Sequence, residues 1–319
     1  MRVTLAIDAA ADLPRQVIDD YGIHVLTVQV TADGHDIEDT RQPERTLEAY
    51  RDHLIDKFVY VGHQRRRRRF TLAPPDTEAL EEALWAKALP GTDYLMVLCG
   101  SHTLSHHFHT LKPIIQRLQD RLSLADSQTR IRLLDTQTLF AGQGLVAAQA
   151  LAFIKRGKEH SELRRNINHT AELTHTFMVP TDLTYLNERQ AAFDHPPLRW
   201  TSGSLGFPPK ETPIICSFRN KMFTVDRQPT FDQAVTAVFN QTVRILQRGA
   251  ESPYVSLSYA GDLLDLERFT GVQDLRKLHQ ERKIVLLIST MGLAGATCLG
   301  PGSVSLAVAS IDHEWSTAA

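Results

Sequence analysis

Three polar side chains come directly after short apolar runs in the first half of the sequence: Asp8, Ser101 and Asp135. Apolar runs of this length, separated by amphipathic segments, are typical of parallel strands joined by helices. Because ligands bind beyond the carboxyl ends of the strands in such a sheet, we expect these three side chains to converge. They could bind the polar group of a ligand, or Ser101 could act as a nucleophile beside a base.

Ser101 stands where an anion is readily bound. A Gly100-Ser101 step directly after a buried strand is a natural anion-binding turn, because it leads into the start of a helix. Asp8 occupies the corresponding place after the first strand. Asp12 has the position of an ordinary helix N-cap, and Asp135 could serve merely to cap loop amides, so both structural and functional interpretations stay open for these two acids.

Four histidines follow Ser101 closely in the sequence: His102, His106, His107 and His109. The spacing of His102, His106 and His109 would place them on one face of a helix, where they could bind a metal ion. No carboxylate or thiol lies beside them in the sequence, and a surface helix with titratable histidines is the commoner outcome. We therefore expect no metal, and we favour His106 or His107 at the polar group of a ligand.

A glycine motif at Gly142-Gln143-Gly144 formally fits the dinucleotide-binding pattern G-x-G-x-x-A. The preceding strand ends several residues earlier, whereas a dinucleotide turn follows its strand at once, so these glycines indicate close helix packing. Neither the G-x-x-x-x-G-K-[ST] loop of ATP-binding proteins nor the G-x-S-x-G elbow of α/β-hydrolases occurs. The sequence predicts no cofactor.

A run of adjacent arginines stands just before Thr71 in the sequence: Arg65, Arg66, Arg67, Arg68 and Arg69. Because adjacent cations repel one another, we expect an exposed loop. This loop is either simply solvated or a surface that attracts anionic membrane lipid or an acidic partner. A role in RNA binding is disfavoured, since aromatic residues do not alternate with the arginines.

The composition bounds the class of protein. A formal net charge of -2 argues against a general nucleic-acid binder. The three cysteines, Cys99, Cys216 and Cys298, are odd in number and widely separated, which is typical of reduced thiols in a cytosolic protein. No apolar stretch approaches the ~18 residues of a membrane span, and the N-terminal apolar run is too short for a signal peptide. We therefore expect a soluble, cytoplasmic protein.

The 319 residues and their pattern of apolar segments predict two domains. Strands and helices alternate first, over residues 3–7, 13–21, 23–30, 47–56, 77–86, 94–99, 104–122, 131–134 and 139–154. Longer connections and paired strands follow, over residues 161–173, 176–179, 213–225, 231–248, 254–258, 262–280, 284–288 and 304–309. The segment 213–225 is predicted to be a hairpin that turns near residues 219–221. We predict an α/β domain over residues 1–158, with a doubly wound and mostly parallel sheet, and an α+β domain over 159–319.

Motifs along the whole chain resemble those of the DegV family. Residues 7–14 are similar to the family's D-S-T-A-D-L-P opening, residues 70–74 stand where it carries T-S-Q-P, and residues 101–105 where it carries S-S-x-L-S. Further matches to the family's pattern follow in the same order, at residues 134–136, 142–144, 182–186, 210–215 and 300–302. The chain is therefore identified as a member of this family from its motifs.

The resemblance implies a two-domain protein that binds a fatty acid in a cleft between its domains and is not an enzyme. Known members include the acyl-presenting FakB subunits of bacterial fatty acid kinase, in which a separate kinase subunit phosphorylates the bound carboxylate. The threonine and the serine that hold this carboxylate in the family correspond here to Thr71 and Ser101. The implied ligand is a long-chain fatty acid, and the implied partner is a fatty acid kinase subunit.

The chain departs from the family pattern near the expected carboxylate site. Ala9 replaces the serine of D-S-T, His106 and His107 replace the Gly-Thr of S-G-T-Y, and Cys298 stands where a histidine usually precedes G-P-G. These changes mark a divergent member. The expected ligand-binding residues are Thr71, Ser101, His106, His107, Cys298 and Asp8.

The competing interpretation is a hydrolase or metalloenzyme that uses Ser101, Asp135 and the histidines at 102, 106 and 109. Geometry separates the two, because an enzyme needs a base within ~3 Å of the nucleophile, whereas a carrier needs an apolar tunnel that ends at hydroxyls. A third possibility is a binder whose tunnel has been lost, leaving an interaction protein.

The fatty-acid interpretation makes a direct prediction about the two hydroxyls. The double substitution Thr71→Val with Ser101→Ala should reduce the amount of fatty acid that the protein retains, because a buried carboxylate needs hydrogen-bond donors. Retention is measured by lipid extraction and mass spectrometry, and unchanged retention would remove both residues from the site.

Overall fold

The structure is a computed structural model that describes residues 2–32, 35–54, 58–61, 64–67, 70–72, 76–181, 183, 211–311 and 314–315. The strands within these residues are, in chain order, β1 (Val3–Asp8), β2 (His24–Leu26), β3 (Val28–Ala32), β4 (His35–Asp39), β5 (Phe58–Val61), β6 (Gln64–Arg67), β7 (Phe70–Leu72), β8 (Tyr94–Cys99), β9 (Arg130–Asp135), β10 (Thr174–Val179), β11 (Thr212–Phe218), β12 (Lys221–Gln228), β13 (Tyr254–Tyr259), β14 (Val285–Thr290) and β15 (Val304–Ala309). The helices are α1 (Arg15–Asp20), α2 (Pro43–Ala49), α3 (Thr77–Glu82), α4 (His106–Leu124), α5 (Ala141–Lys155), α6 (His160–Leu173), α7 (Phe231–Arg248), α8 (Thr270–Gln280) and α9 (Leu293–Leu299).

The first sheet has the strand order β2-β1-β8-β9, and every neighbouring pair in it is parallel. All six residues of β8 are buried, as expected for an apolar strand covered on both faces of a parallel sheet. From β1 the chain passes to β2 on one side of the sheet and later to β8 on the other. The loops after β1 and β8 therefore diverge at a topological switch point, which is where such sheets bind ligands.

The second sheet has the order β12-β11-β10-β15-β13-β14 and is mixed. Only β13 and β14 are parallel to each other, while the other neighbouring pairs are antiparallel. The predicted hairpin is confirmed, because β11 and β12 flank a turn at Arg219 and Asn220. The predicted fold class is also confirmed: a parallel α/β sheet is followed by a mixed sheet with helices.

Helix α5 joins the two halves of the molecule. Its residues from Ala141 to Leu151 are all buried, which is expected of a helix that is apolar on every side. It contacts β10, β13 and β15 of the second sheet as well as β1 and β8 of the first. The predicted boundary at residue 158 falls in the short connection between α5 and α6, and it stays a prediction.

Several predicted elements are divided in the structure. The strand expected over residues 23–30 is two strands, β2 and β3, which belong to different sheets. The helices expected over 47–56 and 77–86 begin as α2 and α3 and continue as π-helices over Tyr50–Leu54 and Ala83–Ala88. The segment 262–280 is a 3₁₀-helix, Leu263–Arg268, followed by α8. Periodicity alone does not distinguish these cases, since each piece keeps its apolar side inward.

The arginine run does not form the expected loop throughout. Gln64–Arg67 is strand β6, which pairs antiparallel with β5, so that Arg65, Arg66 and Arg67 belong to a hairpin. Backbone pairing across β5 and β6 therefore outweighs the repulsion between neighbouring cations that led us to expect a loop. Arg68 and Arg69 lie outside the described residues. Among the described helices, none is both long enough and apolar enough to cross a membrane.

The close packing of α5 predicts the direction in which a substitution at Gly144 changes the free energy of unfolding. A Cβ atom on Gly144 would lie 2.1 Å from the Asp12 carbonyl oxygen and 3.3 Å from Ser256 Oγ. Gly144→Ala should therefore lower the free energy of unfolding by about 1–3 kcal/mol, as overpacking does. In an uncrowded helix the same change raises stability by roughly 1 kcal/mol. Urea unfolding of the two proteins decides, and a more stable variant would contradict the close contact.

Candidate functional site

The Asp8 carboxylate shapes the loop that carries Ser101. It accepts hydrogen bonds from Gly100 N at 2.8 Å and from Cys99 Sγ at 3.1 Å, and thereby ties the end of β1 to the end of β8. Its other oxygen accepts from Ala10 N at 3.0 Å and from Gln143 Nε2 at 2.9 Å. A buried carboxylate needs such partners, because burial without them is costly. The expected convergence of Asp8 with the Ser101 loop is present.

Ser101 lies fully buried at the junction between the two sheets. Its backbone amide donates to Thr138 O at 3.0 Å, which fixes the loop. Its hydroxyl donates to Asn220 Oδ1 at 2.6 Å and lies 3.2 Å from Thr103 Oγ1. Because Asn220 belongs to the β11–β12 turn, this contact joins the switch point of the first sheet to the second sheet.

The turn that carries Asn220 has the geometry this contact needs. Arg219 and Asn220 both have positive φ, 49° and 61°, as in the two-residue turns that suit the twist of antiparallel strands. Asparagine tolerates this conformation better than most residues. Asn220 N donates to Gln137 O at 2.9 Å, and Thr103 Oγ1 donates to Asn220 O at 2.5 Å. Three hydrogen bonds, with Ser101, Thr103 and Gln137, thus hold the tip of the hairpin against the first half of the chain.

With Oδ1 of Asn220 turned to Ser101, its Nδ2 has no hydrogen-bond partner among the described residues. Two hydroxyls and one amide group therefore stand together: Ser101, Thr103 and Asn220. This set can donate several hydrogen bonds to a single anionic group, and such bonds are stronger than neutral ones. The sequence did not identify Thr103 or Asn220. An asparagine at the tip of a predicted hairpin was the available signal, but its partner is 119 residues away.

Thr71 lies on β7, where it is the register partner of Thr31 on β3. Its side chain lies outside the described part of the chain, so its place at the site stays a prediction. The neighbouring Leu72 packs against the apolar cluster defined below. Lys210 and most of residues 182–186, which carried part of the family resemblance, also lie outside the described residues.

The histidines do not share one helix face as expected. Helix α4 begins at His106 with Ser105 as its N-cap, and His102 lies in the turn before it. His102 Nδ1 pairs with Asp135 Oδ2 at 2.7 Å, and His109 Nε2 contacts His102 O at 2.9 Å. His106 is exposed and His107 is buried. The helical spacing failed because the helix starts four residues later than His102.

These contacts bear on the hydrolase or metalloenzyme alternative. The Ser101 hydroxyl points to Asn220 and Thr103, whereas His102 is oriented by Asp135. The other Asp135 oxygen accepts from Gln137 N at 2.8 Å, which is the loop-capping role considered from sequence. Within the described residues, no group of three or more His, Cys, Asp or Glu side chains could hold a metal ion.

An apolar cluster adjoins the polar group and draws on both halves of the chain. We call it the interdomain apolar cluster; its buried members are Val30, Ala32, Ala49, Tyr50, Leu54, Leu104, Leu139, Phe140, Met178, Leu183, Ile215, Ala260, Met291, Leu293, Ala296, Cys298 and Leu299. Leu104 follows Thr103 directly, so the cluster reaches the hydroxyl groups. Cys298 lies on α9 within this cluster and is 3% exposed.

Methionines are concentrated in this cluster. Met178 and Met291 are fully buried in it and Met222 packs against it, out of five methionines in the chain. Methionine side chains are flexible and polarizable, so they fill irregular apolar space and repack readily. This part of the core can therefore adapt to an elongated apolar ligand more easily than a core of branched side chains.

A buried charged cluster forms a second joint between the two halves. Arg41 Nη1 lies 3.0 Å from Asp12 Oδ1, and Arg41 Nη2 donates to Thr290 O at 2.9 Å. Asp12 also accepts from Ser258 Oγ at 2.6 Å and from Gly292 N at 2.9 Å. The interpretation of Asp12 as a helix N-cap is wrong: Pro14 occupies that position of α1, and the Asp12 side chain crosses to the second sheet instead.

Asp39 and Tyr50 complete this cluster. Asp39 Oδ2 accepts from Leu293 N at 2.6 Å, and Tyr50 donates to the carbonyl of Met291. A Cβ atom on Gly292 would lie 2.4 Å from Arg41 Nη1, so the close approach of the guanidinium requires glycine there. No sequence pattern identified this cluster, because its members are ordinary polar residues from distant segments.

Two carboxylates and one guanidinium are buried together in this cluster, and burial changes the pKa values of its acidic groups. Burial raises the pKa of Asp12 to about 6, against the opposing effects of Arg41 and of the Ser258 and Gly292 hydrogen bonds. Burial likewise raises the pKa of Asp39. Burial, and then the two carboxylates, raise the pKa of Tyr50 well above its ordinary range. One guanidinium therefore does not fully compensate two buried carboxylates.

Comparisons with known proteins agree on one family. The sequence model of the family described as "Uncharacterised protein, DegV family" matches residues 2–310. A DegV domain-containing protein of Xanthomonas axonopodis pv. citri is 26% identical over 99% of this chain and 100% of its own length. One of Xanthomonas campestris pv. campestris is likewise 26% identical, over 99% of this chain and 100% of its own length.

Solved structures share the fold at low sequence identity. A stearic acid-binding protein from Eubacterium ventriosum has a TM-score of 0.73 and 14% identity, over 97% of this chain and 98% of its own. A DegV family protein from Thermus thermophilus, described for its fatty acid binding, has a TM-score of 0.71 and 18% identity, over 98% of this chain and 100% of its own. The architecture therefore extends over nearly the whole chain.

The raised pKa of Asp12 predicts a pH effect with a definite sign. The folded protein holds a proton on Asp12 up to about pH 6, whereas the ordinary pKa is 3.8. Protonation therefore favours the folded state, and its stabilisation is present below pH 3.8 and lost as the pH rises through 6. Relative to Asp12→Asn, the wild type should lose up to roughly 3 kcal/mol over this interval.

Urea unfolding of both proteins at several pH values between 4 and 7 measures this difference. Asp274 is exposed on α8 and supplies a matched Asp→Asn control. A stability difference between wild type and Asp12→Asn that does not change with pH would contradict the account of the cluster.

Proposed function

The chain belongs to the DegV family, and from this premise we propose that it binds a long-chain fatty acid between its two domains, with the carboxylate at Ser101. The observation that carries the proposal is the hydrogen bond between Ser101 and Asn220, which brings donors from both halves of the chain to one buried point. Structures of similar fold bind fatty acids according to their descriptions, which supports the same ligand class here.

The proposed head-group site exploits a rearrangement of existing hydrogen bonds. Ser101 and Thr103 now donate to Asn220, and a carboxylate placed between them would accept those protons instead. The Nδ2 group of Asn220 would add a further donor. Bonds to an ionised acceptor are roughly twice as strong as neutral ones, so the exchange favours the bound state.

The proposed acyl chain lies along the interdomain apolar cluster, starting at Leu104. A chain of ~16 carbons offers ~0.8 kcal/mol for each buried methylene, far more than binding needs after the losses of freedom. The three methionines of the cluster would repack around it. Cys298 lies in the same cluster and would contact the chain rather than the carboxylate.

The remaining expected site residues receive supporting roles in this proposal. Asp8 positions the Ser101 loop through Gly100 N, since protein donors already occupy both of its oxygens. Thr71 is included on its motif alone. His107, buried two residues after the Ser105 cap, and His106 beside it would flank the carboxylate site from the start of α4.

We also propose that the protein is a carrier and not an enzyme. The hydroxyl of Ser101 is hydrogen-bonded to an amide oxygen, and His102 is hydrogen-bonded to Asp135, so the contacts among the described residues place no base at the Ser101 hydroxyl. A fatty acid kinase subunit would act on the presented carboxylate. The arginine run 65–69 would contact an anionic membrane surface during loading, and the buried free cysteines suit a cytoplasmic location.

The ligand itself is the first thing to measure. Lipid extracted from the purified protein should contain a near-stoichiometric fatty acid, identified by mass spectrometry beside the native mass of the intact protein. If the protein is empty and also fails to take up added palmitate, the fatty-acid proposal is wrong.

Variants at the junction test the head-group site. Ser101→Ala and Asn220→Gly each remove donors, and glycine keeps the positive φ of the turn at residue 220. Each should weaken palmitate binding by about tenfold, as the loss of a charge-assisted hydrogen bond does. Ser123→Ala, at an exposed serine of α4, is the matched control and should bind as the wild type does. Equal affinities in all four proteins would move the carboxylate elsewhere.

A further inference from the structure

One edge of the first sheet is exposed next to the proposed site. Within the part of the chain that the structure describes, β9 pairs with β8 alone. Arg130 N donates to Asp93 O and Thr136 N to Cys99 O, so the even-numbered residues of β9 face β8. Because bonding alternates along a parallel strand, the backbone groups of Ile131, Leu133 and Asp135 point outward.

The outward backbone groups differ in whether they are available to another strand. The Ile131 carbonyl accepts from Gln119 Nε2 at 2.8 Å and from Arg132 Nη1 at 3.0 Å. The amide and carbonyl of Leu133, at the centre of the strand, have no partner among the described residues. An exposed edge with free backbone groups is a template for an added extended segment.

A groove runs along this edge, between β9 and helix α6. Its volume is about 990 Å³, and its walls come from residues 132–135 of β9 on one side and from one face of α6 on the other. The exposed side chains on the α6 wall include Arg164, Arg165 and His169. A strand added to β9 would lie along this groove with alternate side chains toward α6.

The charge of the groove defines what can occupy it. Arg132, Arg164 and Arg165 line it, and none of the three forms a salt bridge with a residue that the structure describes. Two acids, Asp135 and Glu172, share the lining, so three arginines face two carboxylates there. The groove is therefore cationic on a chain whose net charge is -2.

We propose that this groove binds an acidic, extended segment of a partner protein, which adds a strand to the outer edge of β9. Backbone bonds to Leu133 supply the pairing, and the arginines select acidic side chains on the segment. A second copy of this chain is disfavoured as the occupant, because antiparallel pairing of β9 with β9 about Leu133 would bring the Arg132 side chains of both copies near each other on one face of the joined sheet.

The groove ends next to the proposed head-group site. Gln137 lines the groove and its carbonyl accepts from Asn220 N at 2.9 Å. Asp135, also in the lining, holds His102 next to Ser101. A segment bound along β9 would therefore end beside the hairpin tip that closes the proposed head-group site. The groove itself is complete without a bound fatty acid, so the docking proposal does not depend on the ligand.

The test uses two fluorescein-labelled heptapeptides with the full-length protein. The acidic peptide is Thr-Glu-Val-Glu-Val-Glu-Thr, and its matched basic counterpart carries Lys in place of Glu. Fluorescence anisotropy should show binding of the acidic peptide that weakens with added salt, and no binding of the basic one. The pair Arg164→Glu with Arg165→Glu should weaken binding at least tenfold. The control pair Arg248→Glu with Lys277→Glu, on exposed residues of α7 and α8, should leave affinity unchanged.

Amide hydrogen exchange distinguishes strand addition from a loose electrostatic contact. On binding, the amides of Leu133 and Asp135 should gain protection, while those of Arg132 and Leu134 already bond to β8 and should change little. Absence of acidic-peptide binding, equal loss in both variant pairs, or unchanged exchange at Leu133 would each overturn the proposal. A dimer in native mass spectrometry that the pair Arg164→Glu with Arg165→Glu abolishes would also overturn the proposal, because the β9 edge would then serve self-association.

Discussion

The hydrogen bond from Ser101 Oγ to Asn220 Oδ1, 2.6 Å long, is the contact on which the arrangement of the site depends. On one side, the Asp8 carboxylate fixes the Ser101 loop at the switch point of the parallel sheet. On the other, a two-residue turn with positive φ presents Asn220 from the mixed sheet. The two halves of the chain thus meet through hydroxyl and amide groups at one buried point, and these are the groups that the proposed head-group site uses.

The rest of the interface is built to hold that junction. The buried cluster of Asp12, Asp39 and Arg41 fastens the first half to the start of α9, and α5 lies between the two sheets. Loss of Arg41 would leave two buried carboxylates without a cation, so its contacts to Asp12 and to Thr290 O hold the two halves together. The interdomain apolar cluster lies beside these polar contacts, and its three methionines make it easier to repack than a core of branched side chains.

The sequence predicted the local features well and the long-range partners poorly. Apolar runs and the polar residues that end them located β1, β8 and β9, and the loops of Asp8 and Ser101 meet as expected. Asn220 could not be paired with Ser101, because its type and spacing are those of any hairpin turn and 119 residues separate the two. Asp12 followed the local rule for a helix N-cap, but a partner 246 residues away, Ser258, determines its actual role. Residues whose function rests on such contacts carry no local pattern.

The most direct test of the central claim is carbon-13 NMR of palmitate labelled at its carboxyl carbon and bound to the protein. We expect one resonance, distinct from that of free palmitate. The bound carboxylate should stay ionised to a lower pH than a free carboxylate does, because several donors stabilise the charge. The same resonance should shift in Ser101→Ala and in Asn220→Gly. A bound carboxylate that titrates as the free acid does, and that neither substitution perturbs, would show that the fatty acid's head group is not held where the two sheets meet.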